Sequence, residues 1–386
     1  MAVIKQQSLL IQSLAVVAAC AAAQACRRAP ATALAPGTNT LAPPASVPVA
    51  TAPRPKPPYY VYATNEASGD LSVIDPVARV VAATIPLGKR PRGIRVSPDG
   101  QTLYIAVSGT PIAPPPQLDA KGNPIFRKDD DDDEKKADKS ADGIAVVDVK
   151  AQKFLRKIPA GSDPEQLALS ADGKRLYISN EDVGTASVLD VASGKVEHII
   201  KVSREPEGVG TSPDGKIFYV TCEADGEIYA IDANTFKVAA HFNVGGRPRS
   251  VDFLPDGSRA FIPSESAGQL HVIDSVNYKV LKTVALPPRS RPMCVKVAAD
   301  GKKVYVSTGR AGTVCVFDPA TEQVRNTIKV GTRPWGIALS PEGKLLYAAN
   351  GPSDDVSVVD LEMEKEISRI KAGGSPWGVA IAPQAK

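Results

Sequence analysis

The chain is poor in the residues from which metal, redox and nucleic-acid sites are usually built. Among 386 residues there are three histidines, five cysteines, two tryptophans and only 5% aromatic side chains. His198, His241 and His271 stand alone, and Cys20, Cys26, Cys222, Cys294 and Cys315 form no C-x-x-C pair. Zinc, haem and iron–sulfur spacings are therefore absent. No motif implies a metal or cofactor, and Cys222, Cys294 and Cys315 are expected to be free, buried thiols. Binding of single strands needs aromatics interleaved with a basic groove, whereas here a formal charge of +4 is spread along the chain, which argues against nucleic acid. A nucleophile elbow and a phosphate loop are also missing.

Long apolar runs are lacking as well, apart from Leu9 to Ala23, which is too short to predict a membrane span. With Lys5 before it and small residues after it, residues 1–25 read as an export signal. Val17-Ala18-Ala19-Cys20 resembles a lipobox that would leave Cys20 acylated, and Ala23-Gln24-Ala25 offers an ordinary cleavage site instead. Residues 26–58, rich in Pro, Ala and Thr, have almost no large apolar side chains and read as a flexible tether. The expected location is the periplasm or the cell surface, with membrane contact only through a lipid on Cys20.

What the chain has in abundance is turn residues, 34 prolines and 30 glycines, and they recur with three signals in fixed order. The first is a strand centred on tyrosine, as in Tyr62-Ala63-Thr64-Asn65, Tyr177-Ile178-Ser179-Asn180 and Phe218-Tyr219-Val220-Thr221. The second is an apolar strand ending in aspartate, at Asp75, Asp148, Asp190, Asp232, Asp274, Asp318 and Asp360. From Asp148 onward these lie 42, 42, 42, 44 and 42 residues apart. The third is a Pro-x-Gly-like step into a short strand and a turn, as in Pro91-Arg92-Gly93 leading to Ser97-Pro98-Asp99-Gly100. Proline presets φ and glycine accepts a positive one, so this is hairpin chemistry.

Seven copies of about four short strands, none able to bury itself alone, predict an all-β, seven-bladed β-propeller with four-stranded antiparallel blades over residues 59–386. The last copy stops at Pro383, where the others turn, and Tyr59-Tyr60-Val61 begins where the others resume. One blade is thus split between the termini, and pairing them closes the ring and hides two strand edges. The first aspartate gap is longer because of an acidic insertion at about 109–141, carrying Asp129 to Glu134.

These repeats resemble the YVTN family of β-propellers, and among them the exported propellers associated with quinoprotein (PQQ)-dependent catabolism. The resemblance implies a noncatalytic binding or interaction protein of the cell envelope. The alternative is a lactonase-like hydrolase using a charged channel mouth.

Strand order places the links between blades and the loops after each second strand on one face. The links carry Arg90 and Arg92, Asp163 and Glu165, Glu205 and Glu207, Arg247 and Arg249, Arg291 and Met293, Arg333 and Trp335, Ser375 and Trp377. Arginine forks suit carboxylates and indoles suit planar groups. The candidate ligand contacts are therefore Arg90, Arg92, Arg247, Arg249, Arg291, Arg333, Trp335 and Trp377, around a small anionic or aromatic ligand. Glu66, Glu181, Glu223 and Glu265 join that face as candidates, either for ligand or as partners of the arginines. No catalytic residue is assigned, and an envelope protein partner stays open. The insertion is either a lid on this face or a solvated loop.

Overall fold

Six tyrosine-centred segments, and one in which Phe261 takes the tyrosine's place, form the second strands of seven sheets. A computed structural model describes residues 56–112 and 136–383, and its strands group into seven sheets of four. From channel to rim, blade 1 runs from Ile94–Val96 to Lys153–Ile158 and blade 2 from Pro164–Leu169 to Lys195–Lys201. Blade 3 runs from Pro206–Thr211 to Val238–Asn243, and blade 4 from Asp252–Phe253 to Lys279–Ala285. Blade 5 runs from Pro292–Val297 to Gln323–Lys329, and blade 6 from Pro334–Leu339 to Lys365–Lys371. Blade 7 joins the ends: Pro376–Pro383 is its inner strand, followed by Tyr59–Asn65, Asp70–Asp75 and Val80–Pro86. Tyr60 pairs with Ala382 and Tyr62 with Ala380, so the predicted closure is present. The signal, Cys20, the tether up to residue 55 and residues 113–135 of the insertion lie outside the described residues.

Each repeated signal has a local cause. Asp75 accepts the N–H groups of Val77 and Ala78 at 2.8 Å each, and Arg79, at φ +57, closes that turn. This is why the third strands end in aspartate. In the Asp-Gly turn, Ser97 Oγ accepts Thr102 N–H at 2.9 Å and Asp99 accepts Gln101 N–H at 3.0 Å, with Gly100 at φ +72. The glycine of the Pro-x-Gly step answers to close approach, because a Cβ on Gly336 would lie 2.7 Å from the Trp377 carbonyl oxygen of the next blade.

The rings pack between blades. Tyr62, Tyr177, Tyr219 and Tyr347 are almost completely buried, Tyr177 stacks on Phe218 of blade 3 with centroids 4.0 Å apart, and the hydroxyls of Tyr59 and Tyr347 lie 3.0 Å apart between blades 7 and 6. Burial of such side chains stabilises by roughly 1.5–3 kcal/mol each. His271 sits within blade 4: its ring nitrogens lie 3.0 Å from Thr283 Oγ1 and from Ser264 Oγ of the strands on either side, and burial pushes its pKa down to about 4.

Candidate functional site

All seven residues before the repeated proline, Arg90, Asp163, Glu205, Arg247, Arg291, Arg333 and Ser375, have φ between +41 and +59. Non-glycine residues rarely adopt this conformation, and a following proline does not favour it. A shared purpose explains the strain at six of the seven. The carbonyls of Ser375, Asp163, Glu205, Arg247, Arg291 and Arg333 accept the N–H groups of Glu66, Glu181, Glu223, Glu265, Gly309 and Gly351, at 2.7 to 3.4 Å. Each bond ties the loop after a second strand to the link of its own blade. Link side chains and loop side chains thereby converge on one rim around the channel mouth.

Two arginine-centred clusters result. Arg92 is buried and holds Asp163 and Glu165 of blade 2, with Glu181 3.9 Å away. Arg249 holds Glu207 at 3.1 Å, Glu265 at 2.7 Å and also Glu223. Arg247 contacts Glu223, with Glu265 and Glu205 at 3.8 and 4.0 Å. Arg90 pairs with Glu66 at 3.1 Å and donates to the Thr110 and Pro111 carbonyls at the start of the insertion.

Blades 5 and 6 differ, because glycine stands where four other blades carry glutamate. Over that sector Arg333 has no carboxylate within 4 Å among the described residues, and its guanidinium lies 4.9 Å from the Trp335 ring centroid. Arg249 lies 5.5 Å from the same ring. Trp335 stacks on Trp377 with centroids 5.3 Å apart and planes 26° apart. Trp377 is buried and Trp335 half-buried. Arg291 flanks this sector on the blade 5 link and has polar company of its own.

Burial and charge sort the carboxyls. Burial alone would raise Asp163 and Glu265, but Arg92 with Arg90, and Arg249 with Arg247, hold them below the usual range. In Glu181, Glu205 and Glu207 burial wins, and their pKa values are raised. The Asp163 charge adds to the rise at Glu181, and Glu181 adds to the other two. Glu207 is only 5% exposed, whereas Glu181, at 27%, also reaches solvent. A carboxyl with raised proton affinity and access to water suits general acid–base work.

Oxygens of Asp163, Glu165 and Glu181 come within 4.8 Å of one another, a set that a hard cation would accept. The Arg92 guanidinium already occupies that acidic cluster. Dialysis against EDTA is therefore expected to leave the denaturation midpoint unchanged; a drop reversed by calcium would assign the cluster to a metal instead.

Of the residues picked from sequence, the structure brings all twelve mouth candidates to one face. Asp142 was not among them. It is 7% exposed and accepts Gly109 N–H at 2.7 Å and Asp163 N–H at 3.1 Å, so it fixes the blade 2 link. Its only sequence signal is its place at the end of the insertion.

Comparison with known proteins gives a family model described as lactonase, 7-bladed beta-propeller, matching residues 59–211 and 209–371. The antigen Lp49 of Leptospira interrogans is 31% identical over 138 residues, 31% of this chain and 30% of that protein's length. Among solved structures, a periplasmic gluconolactonase of Pseudomonas aeruginosa has TM-score 0.64 at 20% identity, covering 85% of this chain and 99% of that one. A putative 6-phosphogluconolactonase of Bacteroides uniformis gives 0.66 at 16%, covering 84% and 99%. A chain of Kuenenia stuttgartiensis hydrazine synthase gives 0.62 at 21%, covering 76% and 96%.

The family match corrects two expectations. The assignment to YVTN-repeat propellers of quinoprotein-dependent catabolism is overturned, because the tyrosine strand and Asp-Gly turn are demands of blade packing rather than marks of one lineage. The noncatalytic reading falls with it. The sequence shows no convincing base, yet folding partly desolvates Glu181 and buries Glu207, and the proton affinity of both rises.

Proposed function

We propose that this chain, which belongs to the lactonase family of seven-bladed β-propellers, hydrolyses a small, uncharged sugar lactone at the mouth of its channel. The observation that carries this reading is Glu181, a solvent-reaching carboxyl of raised pKa in a rim of guanidinium groups. Opening a lactone needs a base for the attacking water and positive charge for the developing oxyanion. Glu181 takes a proton from water as the water oxygen bonds to the acyl carbon. The ring C–O bond then breaks, and the departing alkoxide recovers that proton from Glu181. Arg92, 3.9 Å from Glu181, and Arg249, whose charge also acts on it, are the guanidinium groups placed to stabilise the oxyanion and then to face the carboxylate product. Trp335, stacked on Trp377 and covered by the Arg249 and Arg333 guanidinium groups, helps to hold those groups at the rim.

Charge balance narrows the substrate. On the Glu181 side of the rim, Asp163, Glu165, Glu181, Glu205, Glu207 and Glu223 outnumber Arg92, Arg247 and Arg249. A phosphorylated lactone would meet an excess of carboxylates, so the neutral sugar lactone is favoured, in line with the gluconolactonase named for the P. aeruginosa relative. The same name, together with the export signal at residues 1–25, supports a periplasmic site of action. Acylated Cys20 and the tether at 26–58 would hold the propeller at the membrane.

The test is hydrolysis of glucono-1,5-lactone followed with a pH indicator at pH 6.5, corrected for the spontaneous reaction. A rate proportional to protein, and lower for the 6-phosphorylated lactone, is expected. No acceleration with any sugar lactone would sink the reading.

A further inference from the structure

The end of the channel away from the mouth holds a second chemistry. Counting the repeated proline as the first position, the fifth residue of the inner strand is Arg95 in blade 1, Asp252 in blade 4 and Lys296 in blade 5; the other four blades have alanine or glycine there. The small residues leave room. A cavity of about 460 Å³ opens beside the Asp-Gly turns, lined by Arg95, Lys296 and Asp252 and by Ile337, Leu339 and Ile381. That size falls in the range of small-molecule sites. A smaller space of about 40 Å³, lined by Gln166, Ser250, Cys294 and Trp377 and also by Arg95 and Lys296, adjoins it, with room for little more than a water molecule. Neither space is lined by Glu181, Arg92, Arg249 or Arg333 of the mouth.

Charge in this layer does not balance. Asp252 divides its carboxylate between Lys296, at 3.7 Å, and the Val297 N–H, at 2.9 Å. Arg95 has no carboxylate within 4 Å among the described residues and donates to the carbonyl of Ile94 at 2.8 Å. A half-buried guanidinium that shares the single carboxylate of Asp252 with Lys296, and holds it at no less than 4 Å, is costly beside apolar walls, and an anion entering the cavity would reduce that cost.

We propose that this cavity binds a small amphiphilic monocarboxylate, its head between Arg95 and Lys296 and its apolar body against Ile337, Leu339 and Ile381. The site does not depend on lactone hydrolysis at the mouth. Isothermal titration of the folded chain with octanoate and with octan-1-ol tests it. Octanoate is expected to bind at least about tenfold more tightly than the alcohol. Arg95→Met and Lys296→Met should each weaken octanoate by about tenfold or more without lowering the denaturation midpoint, and Arg333→Ala, at the mouth, should leave it unchanged. Lys296→Met decides the matter if Arg95→Met does not fold. No binding up to about 10 mM, equal affinity for acid and alcohol, or loss of binding in Arg333→Ala would each overturn the proposal.

Discussion

Exchange of Glu181 for glutamine is expected to lower kcat for lactone hydrolysis by about 10²- to 10⁴-fold, the usual contribution of a positioned acid–base group. The amide keeps the size of the carboxyl, and the backbone bond from residue 181 to the Asp163 carbonyl, 3.0 Å, does not involve the side chain. It cannot accept the proton of water. Stability separates this role from a structural one. Because the folded state raises the pKa of Glu181, it disfavours the charged form, so a neutral side chain should unfold no more easily than the native one at pH 7.5. The pH profile supplies the second readout. The acid limb of kcat/KM should lie above the ordinary glutamate value of about 4.3 in the native chain and vanish in Glu181→Gln. An unchanged rate, or a retained acid limb, would move the base elsewhere on the rim, with Glu207 the next carboxyl of raised pKa.

Much of the architecture was readable because each blade solves the same local problems with the same residues. Asp75 and its six counterparts mark a turn whose N–H groups need an acceptor, and Ser97-Pro98-Asp99-Gly100 marks a hairpin. Tyr59 and Pro383, 324 positions apart, were predicted to share a sheet because the repeat was cut there, and they pair. The rim was half readable. Strand parity put Arg92, Arg249 and Glu181 on one face, but their pairing depends on how adjacent blades abut, which no spacing encodes. That Arg92 reaches across to Asp163 and Glu165, or that Asp142 fixes the neighbouring link, follows only from the assembled ring. Catalysis is hidden in the sequence for the same reason. Glutamate in a loop looks like an ordinary surface acid until burial and Asp163 raise its proton affinity. The family was misjudged because a motif dictated by blade packing says little about the rim that blades carry.

Arg92→Met should expose how much the fold depends on this cluster. Methionine keeps a linear apolar stem in the same space but removes the charge that faces Asp163, Glu165 and Glu181. Breaking a buried pair on one side leaves its partners uncompensated, at about 3–5 kcal/mol. The loss should depend on pH in a defined direction. In the native chain burial raises the pKa of Asp163, but Arg92 and Arg90 depress it further than burial lifts it. A carboxyl depressed on folding contributes stability above its unfolded pKa of about 3.9, and that contribution fades as pH falls through the folded value. Without Arg92 the burial remains and the main depressing charge is gone, so the folded pKa of Asp163 should rise above the unfolded one. The variant then gains more stability on acidification than the native chain, in which only Glu181, Glu205 and Glu207 work in that direction and Asp163 works against it. Urea midpoints at pH 7.5 and pH 5 should therefore show a deficit of about 3–5 kcal/mol at the higher pH and a clearly smaller one at the lower. A deficit that stays constant with pH would mean that Arg92 acts by packing its stem, and that the three carboxyls settle their charge without it.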